Sequence, residues 1–139
     1  MKRLMLICLL FISLFLFPSC REEVIAPDNI TGSKNQPIVI QDNKSYKYIL
    51  NSQNLTLRSR FELAYESNRI YVILTITDYT EGMVRINLQD VEGRSVHFET
   101  ASGNKYATYE ISNQSIVNEG ELQLFEFTGK LKLELLRSN

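Results

Sequence analysis

One histidine, two cysteines and sixteen carboxylates are the groups from which this chain could build a reactive site. His97 lies in Val96-His97-Phe98, on the opposite side of an extended strand from both neighbours. An imidazole there could serve as the base of a Ser-His-Asp triad, but no serine stands in a Gly-x-Ser-x-Gly elbow. Zinc needs several nitrogen or sulfur ligands, and one histidine with no cysteine beyond Cys20 cannot supply them. His97 therefore reads as a surface histidine on a strand. The acids Asp78, Glu81, Asp90 and Glu92 fall near expected turns, but no Asp-x-Asp-x-Asp loop joins them into a calcium site. They read as turn formers and solubilising charges. A glycosidase pair would need a deep cleft, for which a chain this small has little room. No glycine-rich phosphate loop or nucleotide fingerprint is present. The expectation is no catalytic residues, no metal ligands and no cofactor.

Binding fits the composition better. Seven tyrosines and no tryptophan are present. Sugar-binding proteins stack aromatic rings on pyranose faces beside amide and arginine side chains. Tyr71 with Arg85, Asn87 and Gln89 forms such a candidate ligand-binding face, provided their strands are adjacent. Arg58, Arg60, Lys130, Lys132 and Glu134 read as solvated strand sides that pair charges across strands. A net charge of −1 excludes the basic footprint that nucleic acid requires.

These side chains must be held by strands. From Ile38 onward, apolar and polar residues alternate. Tyr46, Tyr48 and Leu50 begin the pattern, and Leu55 to Tyr65, Ile70 to Thr77, Val84 to Gln89 and Lys130 to Leu135 continue it. Successive strand side chains point to opposite faces, so period two marks half-buried strands. Ile73 is apolar where the outer face should be polar, which predicts a central strand. Leu122 and Leu124 give way to Phe125 and Phe127, a parity switch that predicts a β-bulge near Leu124–Phe125. Glycines at 82, 93, 103, 120 and 129 punctuate the runs and read as turns. No stretch shows a sustained helical period. The fold expected is an all-β antiparallel β-sandwich, immunoglobulin-like or jelly-roll-like, of about seven to nine strands over residues 38–139. The stretch from Tyr79 to Gly93 resembles hairpins of secreted sandwich modules, whose functions differ, so this likeness implies a fold and no activity.

The N-terminal part is of another kind. Lys2 and Arg3 precede an apolar run from Leu4 to Phe17, broken by Ser13 alone. The run is shorter than the ~20 residues of a membrane-spanning helix and suits the apolar core of an export signal. Cutting after Ser19 by an ordinary signal peptidase would put bulky Phe17 at −3, and cutting after Ala26 would put Pro27 next to the cut. The segment Phe17-Pro18-Ser19-Cys20 resembles the lipobox of bacterial lipoproteins, with Ser19 and Cys20 fitting and Phe17 and Pro18 departing from the usual residues. That resemblance implies a signal peptide over 1–19, a diacylglycerol thioether on Cys20, and membrane attachment through its acyl chains. Residues 20–37 are polar, with Pro27 and Pro37, and read as a tether. Loss of Lys2 and Arg3 with the signal would take the net charge from −1 to about −3. With Cys20 acylated, the folded part would have no thiol to form a disulfide.

The expected protein is a non-enzymatic binding or accessory module on the envelope membrane, the outer membrane of a two-membrane envelope, facing the periplasm or the surface. Its partner would be an envelope protein or a glycan. The alternative is a structural protein that assembles through an exposed sheet edge.

Overall fold

A computed structural model describes residues 33–138, apart from the side chain of Asn113. The expected export signal, Cys20 and the expected tether up to residue 32 lie outside the described residues. Among those described there is no helix, and none long and apolar enough to cross a membrane. The chain forms β1 (Ile38–Gln41), β2 (Ser45–Asp90), β3 (Ser95–Ala101) and β4 (Lys105–Arg137), all antiparallel in one hydrogen-bonded sheet.

A 46-residue strand such as β2 would reach roughly 150 Å if straight. Its register shows how it bends instead. Residues 45–52 pair with 129–136 of β4, and residues 55–62 pair with 119–127. The same stretches of β4 are paired on their other side by residues 70–77 and 83–90 of β2. Residues 105–111 of β4 flank 70–76, β3 flanks 84–89, and β1 flanks 46–49. Residues 70–77 thus have neighbours on both sides, as the apolar outer face at Ile73 requires.

The long strands bend at matching places along one crease. Tyr46 and Phe61 belong to one strand and would lie roughly 50 Å apart on a straight one; their rings stack at 4.2 Å. The bend falls at Asn54 in this segment, at Asp78 and Gly82 in the next, and at Glu126 and Gly129 in β4. All five have positive φ. Left-handed backbone is rare outside glycine, and three non-glycine cases at one crease mark a built feature. Ladder bonds lost there are replaced. Thr128 Oγ1 accepts from Asn54 N at 2.7 Å, and Thr56 Oγ1 accepts from Glu126 N at 3.0 Å. The buried Ser52 hydroxyl donates to the Phe127 carbonyl at 2.9 Å.

The bulge in β4 lies one residue beyond the expected place. Leu124 is buried, Phe125 and Glu126 are exposed, and Phe127 is fully buried. Phe127 rather than Phe125 therefore takes the inward place. The glycines also divide differently from expectation. Gly93 and Gly103 lie in connections between strands, but Gly82 and Gly129 lie at the crease and Gly120 within a strand. Gly120 is there for space: a Cβ would sit 2.2 Å from the Phe61 ring. Turns without glycine use polar side chains, as where Asp42 Oδ1 accepts from the backbone N of Lys44 and Ser45, both at 2.7 Å.

One cluster of buried apolar side chains joins Tyr46, Tyr48, Leu50, Ile70, Val72, Leu74, Leu131, Leu133 and Leu135 on one side of the bends with Val84, Ile86, Leu88, Leu122 and Leu124 on the other. Ahead of β1, Asn35 donates its backbone N–H to Asn51 O at 2.8 Å and pairs with the Gln53 backbone, so contacts with the sheet begin before Ile38.

Candidate functional site

The tyrosines are mostly structural. Tyr46, Tyr48 and Tyr65 are buried, and burial pushes the hydroxyls of Tyr46 and Tyr48 up to about 12. Tyr71 is half-buried on residues 70–77, opposite Leu136 and Glu110. Arg85, Asn87 and Gln89 lie on residues 83–90, beyond the crease, and no ladder pair joins the two segments. The structure therefore does not bring Tyr71 to the other three, because the strand that carries them all bends between them.

Those three instead share an outer face with residues that the sequence pattern did not single out together. The register aligns side chains in rows across four strand segments. Arg60, Glu121, Asn87 and Phe98 form one row, and Arg58, Gln123, Arg85 and Thr100 form the next. Glu62, Glu119, Gln89 and Ser95 form a third. Phe125 stands past the Arg58 row, opposite Met83.

Arg85 is held between two phenylalanines. Its guanidinium carbon lies 5.8 Å from the Phe98 ring centre and 5.4 Å from that of Phe125. Such contacts contribute about 0.5–1 kcal/mol each at exposed sites and fix the planar group in place. Phe98 is 57% exposed and Phe125 37%. No protein-family model matches the chain, and no curated protein matches it. The reading of the face rests on its geometry.

Around the aromatic pair, polar groups are positioned by one another. Glu121 accepts from Arg58 at 2.8 Å and from Arg60 at 2.9 Å, and also binds the Gln123 amide. The Arg58 hydrogen bond outweighs the cost of burial, and with those of Arg60 and Gln123 holds the Glu121 carboxyl down at about 2. Ser95 Oγ lies 2.5 Å from Asn87 Oδ1. A shallow cleft of about 250 Å³ adjoins the face, lined by Thr56, Leu57, Arg58, Gln123, Leu124 and Phe125.

The Glu121 linkage has a definite sign. Its carboxyl titrates lower in the folded chain than near 4.5 unfolded, so its contribution is complete above that value and is lost as pH falls toward 2. Both arginines are largely exposed, so screening keeps the contribution to about 1 kcal/mol. Glu121→Gln is expected to lower stability by about that amount at pH 7 and to differ little from the parent near pH 2. Urea unfolding at the two pH values checks this; a gap that persists undiminished in acid would overturn it.

The remaining candidates serve the fold. His97 is half-buried, with its ring centre 4.9 Å from that of Tyr109, and Glu99 pairs with Lys105 nearby. Burial lowers the His97 pKa, Glu99 raises it and Lys105 lowers it again, so the imidazole is held toward its neutral form. Asp90 is buried and accepts from the backbone N of Glu92 and Arg94 and from the Arg94 side chain, at 2.9–3.0 Å. Burial opposes its ionisation, but the hydrogen bonds from Arg94 and Glu92 outweigh this and hold its pKa below the ordinary value. Glu92 pairs with Arg94, Asp78 with Lys130, and Glu81 accepts from Thr128. Lys47 and Lys132 both pair with Glu134.

Phe98 was not legible from its strand alone, because Val96 shares its side of β3 while Ser95, His97 and Glu99 occupy the other, so its side reads as the apolar one. Phe125 was not legible either, because a shift of one residue in the bulge decides which face it joins.

Proposed function

We propose that this chain is a non-enzymatic glycan-binding module, held on the envelope membrane by lipid on Cys20, with its ligand on the face of Phe98, Arg85 and Phe125. The observation that carries the reading is the pair of exposed phenylalanines flanking an ordered arginine, among the amides of Asn87, Gln89 and Gln123. Exposed rings offer apolar faces for sugar C–H groups, and amides and guanidinium offer the hydrogen bonds that orient a polyol. A row-by-row face on strands is flat and extended, suited to a polymer rather than a small enclosed ligand. The matching bends in the long strands and the Tyr46–Phe61 stack support reading the scaffold as a two-layer sandwich made by folding one sheet.

The lipobox-like Phe17-Pro18-Ser19-Cys20 supports the anchor. Attached at Cys20, the domain would lie at the membrane with its outer face free to meet a polymer. Membrane fractionation of cells expressing the full chain tests both parts. Cys20→Ser should move the chain from the membrane to the soluble fraction and leave co-purifying polysaccharide attached. Phe98→Ala should stay in the membrane fraction and lose it. A parent chain that brings down no polysaccharide, or a Phe98→Ala chain that brings down as much, would sink the binding reading.

A second reading, assembly through a sheet edge, is favoured by β1. Ile38, Val39 and Ile40 are 38–53% exposed on a strand that, among the described residues, is paired on one side only. Such an edge can accept another strand. Mass measured by light scattering separates the two: concentration-dependent growth abolished by Val39→Lys would support assembly.

A further inference from the structure

We infer that the ligand of this face is an acidic polysaccharide, one bearing sugar carboxylates, and that Arg85 is the residue that reads the carboxylate. The inference rests on the glycan-binding reading and narrows it. Charge carries it. The two central rows hold Arg58, Arg60 and Arg85 against a single acid, Glu121, in a chain with 16 acidic and 15 basic residues overall. Glu121 is already shared by Arg58 and Arg60. Among the described residues no carboxylate pairs with Arg85. Its Nε is buried and has no acceptor there.

An unpaired, half-buried guanidinium on a protein surface would ordinarily find a carboxylate of its own. Here Phe98 and Phe125 take its two sides, which preserve the plane and the charge together. A planar fork so held matches a carboxylate in two parallel hydrogen bonds, a geometry that lysine cannot copy. The rings beside it are placed to pack against the sugar that carries the acid. Glu62 and Glu119 form the next row and bound the positive strip on one side, which favours a chain laid along the arginine rows over a broad anionic surface.

The test measures binding of the full chain in neutral detergent to polygalacturonate and to a neutral glucan, across 0.05–0.5 M salt (about 14 to 4 Å of screening length). The expected result is preferential binding of polygalacturonate that weakens as salt rises. Arg85→Gln should weaken it about ten-fold or more, Arg85→Lys should fall between, and both should weaken any binding of the glucan by much less. Unaltered circular dichroism of the variants shows that they fold, and the salt response of the parent needs no variant. Equal, salt-independent binding of the two polymers would overturn the acidic assignment and leave the glycan reading standing. No binding of either polymer, with no effect of Phe98→Ala, would overturn both. Salt-sensitive, Arg85-dependent capture by vesicles of phosphatidylglycerol in place of polygalacturonate would overturn the assignment in favour of a lipid surface.

Discussion

Gly82→Ala is expected to destabilise the fold by about 3–5 kcal/mol, a large part of the 5–15 kcal/mol that holds a domain together. Two costs combine. Gly82 has φ +90°, where a side chain is strained by about 1–3 kcal/mol. A Cβ there would also lie 2.4 Å from the Glu126 carbonyl oxygen and 2.5 Å from that of Phe125. Those atoms are backbone, so nothing can rotate away; the crease itself would have to open. Gly93→Ala separates the terms. Gly93 has φ +76° but open space around the added Cβ, so it should show the conformational cost alone, about 1 kcal/mol. Urea unfolding of both variants measures the difference. Equal losses would mean that the close approach at the crease contributes nothing.

The crease also marks where sequence reading stops. Alternation over Ser45–Asp90 announces strands because period two follows from strand geometry whatever the partners are. The central place of residues 70–77 was legible for the same reason, since Ile73 spoils the polar face. The arginines and lysines were correctly placed on solvated sides, and Arg58 and Arg60 meet Glu121 across strands as the pattern suggests. What alternation cannot reveal is which strand lies beside which. Tyr71 and Arg85 share outward parity on one strand, yet the bend at Asp78–Gly82 separates them, and Asp78 carries no sequence mark that distinguishes a left-handed bend from an ordinary turn acid.

The candidate site was half legible for a related reason. Arg85, Asn87 and Gln89 were found because three polar residues on one parity of one strand must share a face. Phe98 joins Asn87 by a register set by the bulge between Leu88 and Gln89, and Phe125 reaches Arg85 through the bulge at Glu126. Both are long-range consequences of one extra residue in a ladder. The aromatic partners of the arginine could be read only once the strands were paired.

The second large effect should come from Gly120, and a rescue identifies its cause. Gly120→Ala would place a Cβ 2.2 Å from Phe61 Cζ, 2.5 Å from Phe61 Cε2 and 2.9 Å from Leu88 Cδ2. Here the obstacles are ends of side chains, so the ring must turn out of its place, and the Tyr46 stack across the core goes with it. Overpacking of this kind costs about 1–3 kcal/mol, and a lost stack adds about 0.5–1.5 kcal/mol. Phe61→Leu alone should also destabilise, since it removes the stack and leaves a gap over the glycine. The double variant should not pay twice: leucine lacks the atoms that meet the new methyl, and the methyl fills part of the gap. Its loss is expected to fall at least 1 kcal/mol short of the two single losses added together, a coupling of the size found between residues in contact. Additive losses would show that Phe61 does not sit over Gly120 in solution. The two arms of the bent strand would then be held together by the rest of the core, Tyr48 and Phe127 included, without this aromatic clasp between them.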